Sequence, residues 1–169
     1  MTELDKLKQA DQAPDWLTSE SFIMLKGGYL LNEETPRGAY ERCADFSASV
    51  YTDSDKYKKD FFEAIWKNWL CPASPVLSNA HTKNLQISCY SGQAEDSVAG
   101  IMNHLKEMAL LTKYGGGVGS SFDRLRGSGQ AISTGGSTSG IVPYIKMLDC
   151  VVDGIKQGSS RRGGCSILP

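Results

Sequence analysis

Histidine is scarce in this chain: among 169 residues there are only two, His81 and His104. Cysteine numbers five (Cys43, Cys71, Cys89, Cys150, Cys165), an odd and widely spaced set with no C-x-x-C pair. Without clustered His and Cys there is no zinc site, and reduced thiols acting as small hydrophobes are the default reading. No apolar run approaches the roughly 20 residues that a membrane span needs, and the first residues, MTELDKLKQADQAPDW, form no signal-peptide apolar region. A cytoplasmic protein with no membrane partner is expected. Neither sign of charge dominates, 18 Lys and Arg standing against 19 Asp and Glu. Charge alone therefore gives no field to hold a nucleic acid.

What is present is ordinary in bulk, 40% hydrophobic and 22% charged, enough for a sizeable soluble core. The local signals are mostly helical. Residues 1 to about 16 are polar, frayed or marginally helical. Thr18 offers a helix start, Gly27 and Gly28 a stop, and Tyr29 to Leu31 a short strand. Thr35-Pro36 predicts a cap and first helical position for a helix from Arg37 to about Val50. Thr52 to Asp55 resembles a capping box with Asp in place of Glu. In the helix it would open, Phe61, Phe62, Ile65, Trp66, Trp69 and Leu70 recur at three and four residues, a core-facing stripe ended by Cys71-Pro72.

From Cys71 to Arg126 the special residues crowd together. Pro75 to Ser78 and Leu85 to Tyr90 read as short strands joined by a polar link. Asp96 or Ser97 caps a long helix in which Val98, Ile101, Met102, Leu105, Met108 and Leu111 hold a helical period. Gly115, Gly116 and Gly117 end it, and Gly117 to Asp123 starts a strand. Gly127 to Gly140 is a Gly, Ser and Thr-rich loop. Pro143 then begins a helix lined by Ile145, Leu148, Val152 and Ile155, ending at Gln157-Gly158.

The Gly115-Gly-Gly-Val-Gly run has two readings of similar weight. Bare backbone suits close approach to a phosphate, yet there is no G-K-[ST], and the run follows a helix instead of opening one after a strand. A helix C-cap followed by tight packing explains it equally. Ser160 to Gly164 sets two guanidinium groups on flexible backbone, suited to phosphate or a base face. The tail from Cys165 to Pro169 reads as a buried strand whose backbone needs partners from further sequence, so one piece of a larger protein is expected.

Taken in order, Ser74-Pro75, Ser88-Cys89, Asp96-Ser97, Lys113 to Gly119, Arg124-Leu-Arg126 with Gly127-Ser128, Gly140 to Pro143, and Gln157 to Gly164 resemble the N-terminal half of the catalytic large subunit of ribonucleotide reductase. The resemblance covers nearly the whole chain, more loosely before Cys71. It implies an α/β fold: an N-terminal helical region over residues 1–70, then over 71–169 the first part of a ten-stranded α/β barrel, incomplete in this chain. It implies a radical oxidoreductase that reduces a ribonucleotide at the 2′ carbon, for deoxyribonucleotide and DNA synthesis.

Residue by residue, Cys89 resembles the first cysteine of the redox pair that becomes a disulfide each turnover, chemistry that needs an accessible thiol. Ser74, Ser88 and Gly117 fall where the family holds substrate phosphates and ribose. Asp96, Ser97 and Arg126 fall at the allosteric specificity site for a deoxynucleoside triphosphate or ATP, Asp96 toward a ribose hydroxyl and Arg126 toward a phosphate. Gln157 and Arg162 fall on the loop that reads base and effector. Ser159-Ser160 stand where the family often has Gly-Gly, which leaves Arg161 as an alternative to Arg162.

The thiyl-radical cysteine and the second redox cysteine of the family lie further along than Pro169, and no ATP-cone precedes the motifs. The resemblance thus implies a chain completed by another, either half of a split subunit or a truncated product. No cofactor or metal is expected on this chain itself. The radical would come from a metal-containing small subunit or from adenosylcobalamin. The implied partners are the remainder of the large subunit, that small subunit, a thioredoxin or glutaredoxin-type reductant, and a second copy in a homodimer. A non-catalytic nucleotide-binding fragment is the alternative.

Overall fold

The computed structural model describes residues 1–155 and 163–168. The chain divides into two compact units, Met1–Gln86 and Ile87–Pro169. Gln157 and Arg162 lie outside the described residues.

The first unit is helical, and its helices begin where local chemistry satisfies their first N–H groups. Helix α1 (Glu3–Gln9) opens with a reciprocal box between Thr2 and Asp5. Helix α2 (Ser19–Lys26) starts at Thr18, whose hydroxyl accepts from the Ser21 N–H, and α3 (Pro36–Ala48) starts at Thr35 with proline in its first turn. Helix α4 spans Ser54–Trp66, but the box expected at Thr52 to Asp55 does not form: Asp53 is the cap and makes no side-chain cap bond. Nor does α4 reach Cys71. It stops at Trp66, the chain turns through Asn68 at φ 59°, and Trp69 is left 74% exposed.

Two expected strands are absent. Tyr29 and Leu30 both donate backbone N–H groups to the Leu25 carbonyl, so Tyr29 to Leu31 continues the turn that closes α2. Pro75 to Ser78 lies in a short helix, α5 (Ser74–Asn79), with proline in its first turn. The core of this unit is made by Leu4, Leu17, Phe22 and Leu25 in one cluster and by Tyr40, Cys43, Ile65 and Ala80 in another.

Arg42 ties α3, α5 and the segment after α2 together. Its Nε and Nη2 donate to both oxygens of Glu34 at 2.9 Å, Nη1 to the Ala80 carbonyl at 3.1 Å and Nη2 to that of Leu77 at 2.9 Å. Its neighbour Arg37 lies over the rings of Phe62 and Trp66, 5.2 and 5.1 Å from their centroids.

The second unit is a parallel sheet backed by two helices. Strand β1 (Cys89–Gln93) leads through α6 (Val98–Lys113) to β2 (Gly117–Ser121), and α7 (Val142–Gly154) precedes β3 (Gly164–Leu168). Strand β1 begins at Cys89, four residues later than the sequence suggests. The order is β1-β2-β3, with Cys89 opposite Gly117 and Gly117 opposite Gly164. Because strand side chains alternate between faces, this register sorts the sheet into two sides.

One side carries Tyr90, Val118, Cys165 and Ile167 into a core with Ile101, Leu105, Met108, Phe122 and Leu148 from the helices and β2's exit. Met108, Phe122 and Leu148 are at most 1% exposed, each contributing about 1.5–3 kcal/mol of apolar burial. The same side holds His104, its Nε2 3.0 Å from Ser120 Oγ and its ring edge-on to Phe122 at 5.9 Å.

Burial lowers the His104 pKa from 6.5, with Glu107 opposing. A depressed histidine leaves the folded state unprotonated while the unfolded chain takes up a proton near pH 6.5, so stability is full above that value and falls as pH drops below it. The melting temperature should therefore decrease between pH 7.5 and 5.5, and His104→Gln should flatten that slope. An unchanged slope in the variant would remove His104 as its source.

Candidate functional site

The other side of the sheet is uncovered and bare. Its rows, read across the strands, are Cys89, Gly117 and Gly164, then Ser91, Gly119 and Ser166, then Gln93, Ser121 and Leu168. All the β1 and β3 residues of these rows are exposed. A parallel sheet with small polar side chains on one face presents backbone and hydroxyls to whatever lies against it.

The backbone before Cys89 is held from two directions. The Gly117 N–H donates to the Ser88 carbonyl at 2.7 Å, and the Tyr90 hydroxyl donates to the Ile87 carbonyl at 3.1 Å. Tyr90 can reach there because Gly116 has no side chain: a Cβ on Gly116 would stand 2.9 Å from the Tyr90 ring and 2.9 Å from the Leu111 carbonyl. Ahead of it, Gly115 adopts φ 77°. Its N–H donates to Thr112 O at 3.0 Å, and the Gly116 N–H donates to Leu111 O at 3.1 Å, the paired bonds of a Schellman helix end.

The glycine run is thus a helix stop followed by tight packing, with the N–H groups of Gly115, Gly116 and Gly117 engaged inside the chain. What Gly117 offers the open face is the absence of a side chain beside the Cys89 thiol. That thiol is exposed, and its sulfur lies 3.6 Å from Ser88 Oγ.

Cys89, Ser88 and Gly117 are therefore brought together at the amino end of β1 and β2. Ser74 belongs to the first unit, at the start of α5, where its carbonyl accepts from Ser78 Oγ at 2.9 Å. Cys165, one register step from Cys89, points to the opposite side of the sheet. Its sulfur is 4.0 Å from Ser120 Oγ, and burial raises its pKa despite that hydroxyl.

Asp96, Ser97 and Arg126 line a separate groove of about 570 Å³ at the N-terminus of α6. Arg126 Nε donates to Asp96 Oδ2 at 2.7 Å and Nη1 to the Ala131 carbonyl at 3.0 Å. Ser97 caps α6, its hydroxyl accepting from Gly100 N–H at 3.0 Å. Across from them stands the Gly127–Gly140 loop, pinched by a bridge between Ala131 and Ser137, which turns Ser133, Thr134, Thr138 and Ser139 to the groove. A cation, a carboxylate and several hydroxyls on an apolar floor of Ile101 and Leu125 suit a ligand with phosphate and ribose-like hydroxyl groups.

Reading the sequence did not single out Tyr90, Ser91, Ser166 or the cluster in which Gln93 Nε2 and Ser121 Oγ both donate to Asp123 Oδ1, at 2.6 and 2.7 Å. Those two bonds, Ser121's first, hold the Asp123 carboxyl below its ordinary range. The available signal was small or polar residues at every second position from Cys89 and Gly117, and from Gly164 as far as Ser166. Among the described residues no group of three or more His, Cys, Asp and Glu could hold a metal ion, and no helix is long and apolar enough to cross a membrane.

Fold and site together define a helical unit followed by the opening strands of an α/β barrel that carries a thiol on its uncovered face. Comparison with known proteins specifies it further. The ribonucleotide reductase all-alpha domain family matches residues 16–84, and the ribonucleotide reductase barrel domain family matches residues 87–168. The chain belongs to the ribonucleotide reductase large-subunit family.

It is 38% identical over 148 residues to a vitamin B12-dependent ribonucleoside-diphosphate reductase of Thermoplasma acidophilum, covering 86% of this chain and 19% of that protein. It is 35% identical over 136 residues to the ribonucleoside-diphosphate reductase subunit alpha of Helicobacter pylori, covering 79% of this chain and 17% of that one. Among solved structures, the class Id ribonucleotide reductase alpha subunit of Actinobacillus ureae superposes with a TM-score of 0.74 at 27% identity, over 90% of this chain and 28% of that one. The chain thus spans under a fifth of the length of those two curated relatives.

Proposed function

We propose that the chain contributes to reduction of ribonucleoside diphosphates to deoxyribonucleotides by a radical mechanism, supplying one redox cysteine, substrate contacts and an effector site. The observation that carries this is the exposed Cys89 thiol beside Ser88 and Gly117 on the bare face of a parallel sheet. In the proposed chemistry Cys89 and a second cysteine give up two electrons and become a disulfide. The substrate's 2′ hydroxyl leaves as water, and an external dithiol restores the pair. Ser74, Ser88 and Gly117 hold the substrate's phosphates and ribose.

Strands β1 and β3 are the open edges of the sheet among the described residues. Barrel closure and the second cysteine come from residues beyond those described, in the same polypeptide or another. The initiating radical comes from a metal-containing small subunit or from adenosylcobalamin. A test combines the chain with a polypeptide carrying the remaining strands, a dithiol reductant and each radical source in turn. Product is expected with one source. None with either, while the chain still binds deoxynucleoside triphosphates, would favour a non-catalytic nucleotide-binding role, the second reading that the groove at Asp96 and Arg126 supports.

That groove is proposed to hold a deoxynucleoside triphosphate or ATP, with Gln157 and Arg162 relaying its identity to the substrate base. Asp96→Ala should blur the dependence of substrate choice on effector while leaving the thiol chemistry intact. Substrate preference that still switches fully with effector would defeat the assignment. Along α6, Val98, Met102 and Leu110 are 73%, 45% and 49% exposed at spacings of four and eight residues, an apolar stripe suited to a second copy of the chain. Met102→Glu should convert a homodimer to monomer in sedimentation velocity. A dimer that persists would move the interface elsewhere.

A further inference from the structure

Cys89 is the first residue of β1, an edge strand among the described residues, and Ser88 stands just ahead of it. Backbone entering an edge strand is tied to the sheet from one flank, here by the Gly117 N–H on the Ser88 carbonyl. A second tie comes from the helix-covered side. Tyr90 follows Cys89 directly, so its side chain stands on the other side of the sheet from the thiol. There it packs against the core, and its hydroxyl donates back to the Ile87 carbonyl at 3.1 Å. Among the described residues that carbonyl accepts no other hydrogen bond.

The ring that aims this hydroxyl has little freedom. A Cβ on Gly116 would stand 2.9 Å from Tyr90 Cε2 and 3.0 Å from Cδ2, and Gly116 is itself held by its N–H bond to Leu111 O at the end of α6. Ile87 lies at the surface, so water can satisfy its carbonyl if the hydroxyl is removed. The bond's effect is therefore one of geometry. With the Ile87 and Ser88 carbonyls both held, the peptides leading into Cys89 are fixed, and with them the Ser88 hydroxyl and the thiol 3.6 Å from it. An exposed thiol needs no such fixing to meet a small reagent. One that must meet a second sulfur in line does.

We infer that Tyr90 is a positioning residue for the Cys89 thiol, holding the Ile87–Ser88 backbone from the covered side of the sheet so that the sulfur faces its disulfide partner. The inference rests on the reading of Cys89 as a redox cysteine.

Tyr90→Phe keeps the ring against Gly116 and removes the donor alone. In the full chain, hydrogen exchange at the Gly117 amide should quicken about fivefold, the worth of one neutral hydrogen bond. The amides of Leu105 and Met108 in α6 should keep their rates, whereas a general loosening would quicken all three. In the mixture that completes the enzyme, pre-reduced and given no external dithiol, the first turnover should slow about fivefold. Iodoacetamide should still alkylate Cys89 at the unmodified rate, because the thiol stays exposed. Unchanged exchange at Gly117, equal quickening in α6, or a quickened Gly117 amide with an undiminished first turnover would each overturn the inference. Multiple turnover by Cys89→Ser would instead sink the redox reading, and exchange at Gly117 then decides by itself whether Tyr90 holds the segment.

Discussion

Cys89→Ser is expected to abolish multiple turnover with a dithiol reductant while leaving effector binding and folding unchanged. The thiol is exposed at the first residue of an edge strand, so exchanging sulfur for oxygen removes little packing. What it removes is the ability to form a disulfide. Within the sheet unit no other described cysteine stands on that face: Cys165 lies on the opposite side of the sheet with its thiol pKa raised by burial, and Cys150 is on α7. Cys165→Ser and Cys150→Ser should therefore keep dithiol-dependent turnover. The measurement is deoxynucleotide formed per reconstituted enzyme over many cycles. Sustained cycling by the Cys89 variant would take this residue out of the redox pair and leave the bare sheet face without its assigned chemistry.

Arg42→Ala should remove about 3–5 kcal/mol of stability from the helical unit, the range for breaking a mostly buried ion pair. The side chains of Arg42 and Glu34 are 12% and 14% exposed. Truncation strands the Glu34 carboxylate and strips donors from the Leu77 and Ala80 carbonyls together. Such a loss is a large share of the 5–15 kcal/mol typical of a domain. All three tryptophans, Trp16, Trp66 and Trp69, belong to this unit, so urea unfolding followed by tryptophan fluorescence reports on it directly. Arg42→Lys should recover only part of the loss, because one ammonium cannot span two carboxylate oxygens and two carbonyls. A midpoint within experimental error of the unmodified chain would show that the network contributes nothing net.

The parts of the fold that were legible in sequence are those whose cause is local. Thr18, Thr35-Pro36, Ser97 and Pro143 mark helix starts through bonds or ring geometry that reach only three or four residues. The misread parts are short apolar runs. Pro75 to Ser78 has too few residues for periodicity to separate helix from strand, and proline suits a first helical turn as well as a strand end. Tyr29 to Leu31 has strand-like residues, but the free carbonyl at the end of α2 captures their N–H groups. The aromatic stripe was read through Trp69 and Leu70 because spacing says nothing of where a chain turns left-handed, and Asn68 makes that turn.

At the site, the thiol and its neighbours were found through family resemblance. For the glycines the sequence left two readings of similar weight, a phosphate cradle and a helix stop with tight packing, since whether the Gly117 N–H is free depends on a carbonyl 29 residues earlier, that of Ser88. Tyr90 escaped notice because its ring and hydroxyl act on the far side of the sheet from Cys89.

With only the described strands in place, the open sheet also bears on how this chain by itself behaves as a colloid. Edges β1 and β3 hold no Lys, Arg, Asp or Glu, the residues that ordinarily keep strand edges from pairing with a neighbouring molecule. Net charge is −1 at pH 7 and the isoelectric point is about 6.1, so long-range repulsion between molecules vanishes just below neutrality. That is the same interval in which proton uptake by His104 on unfolding weakens the sheet's own core. Self-association and loosening then favour each other, and the chain should keep best as a dispersed solute on the alkaline side of neutral, where both are held off.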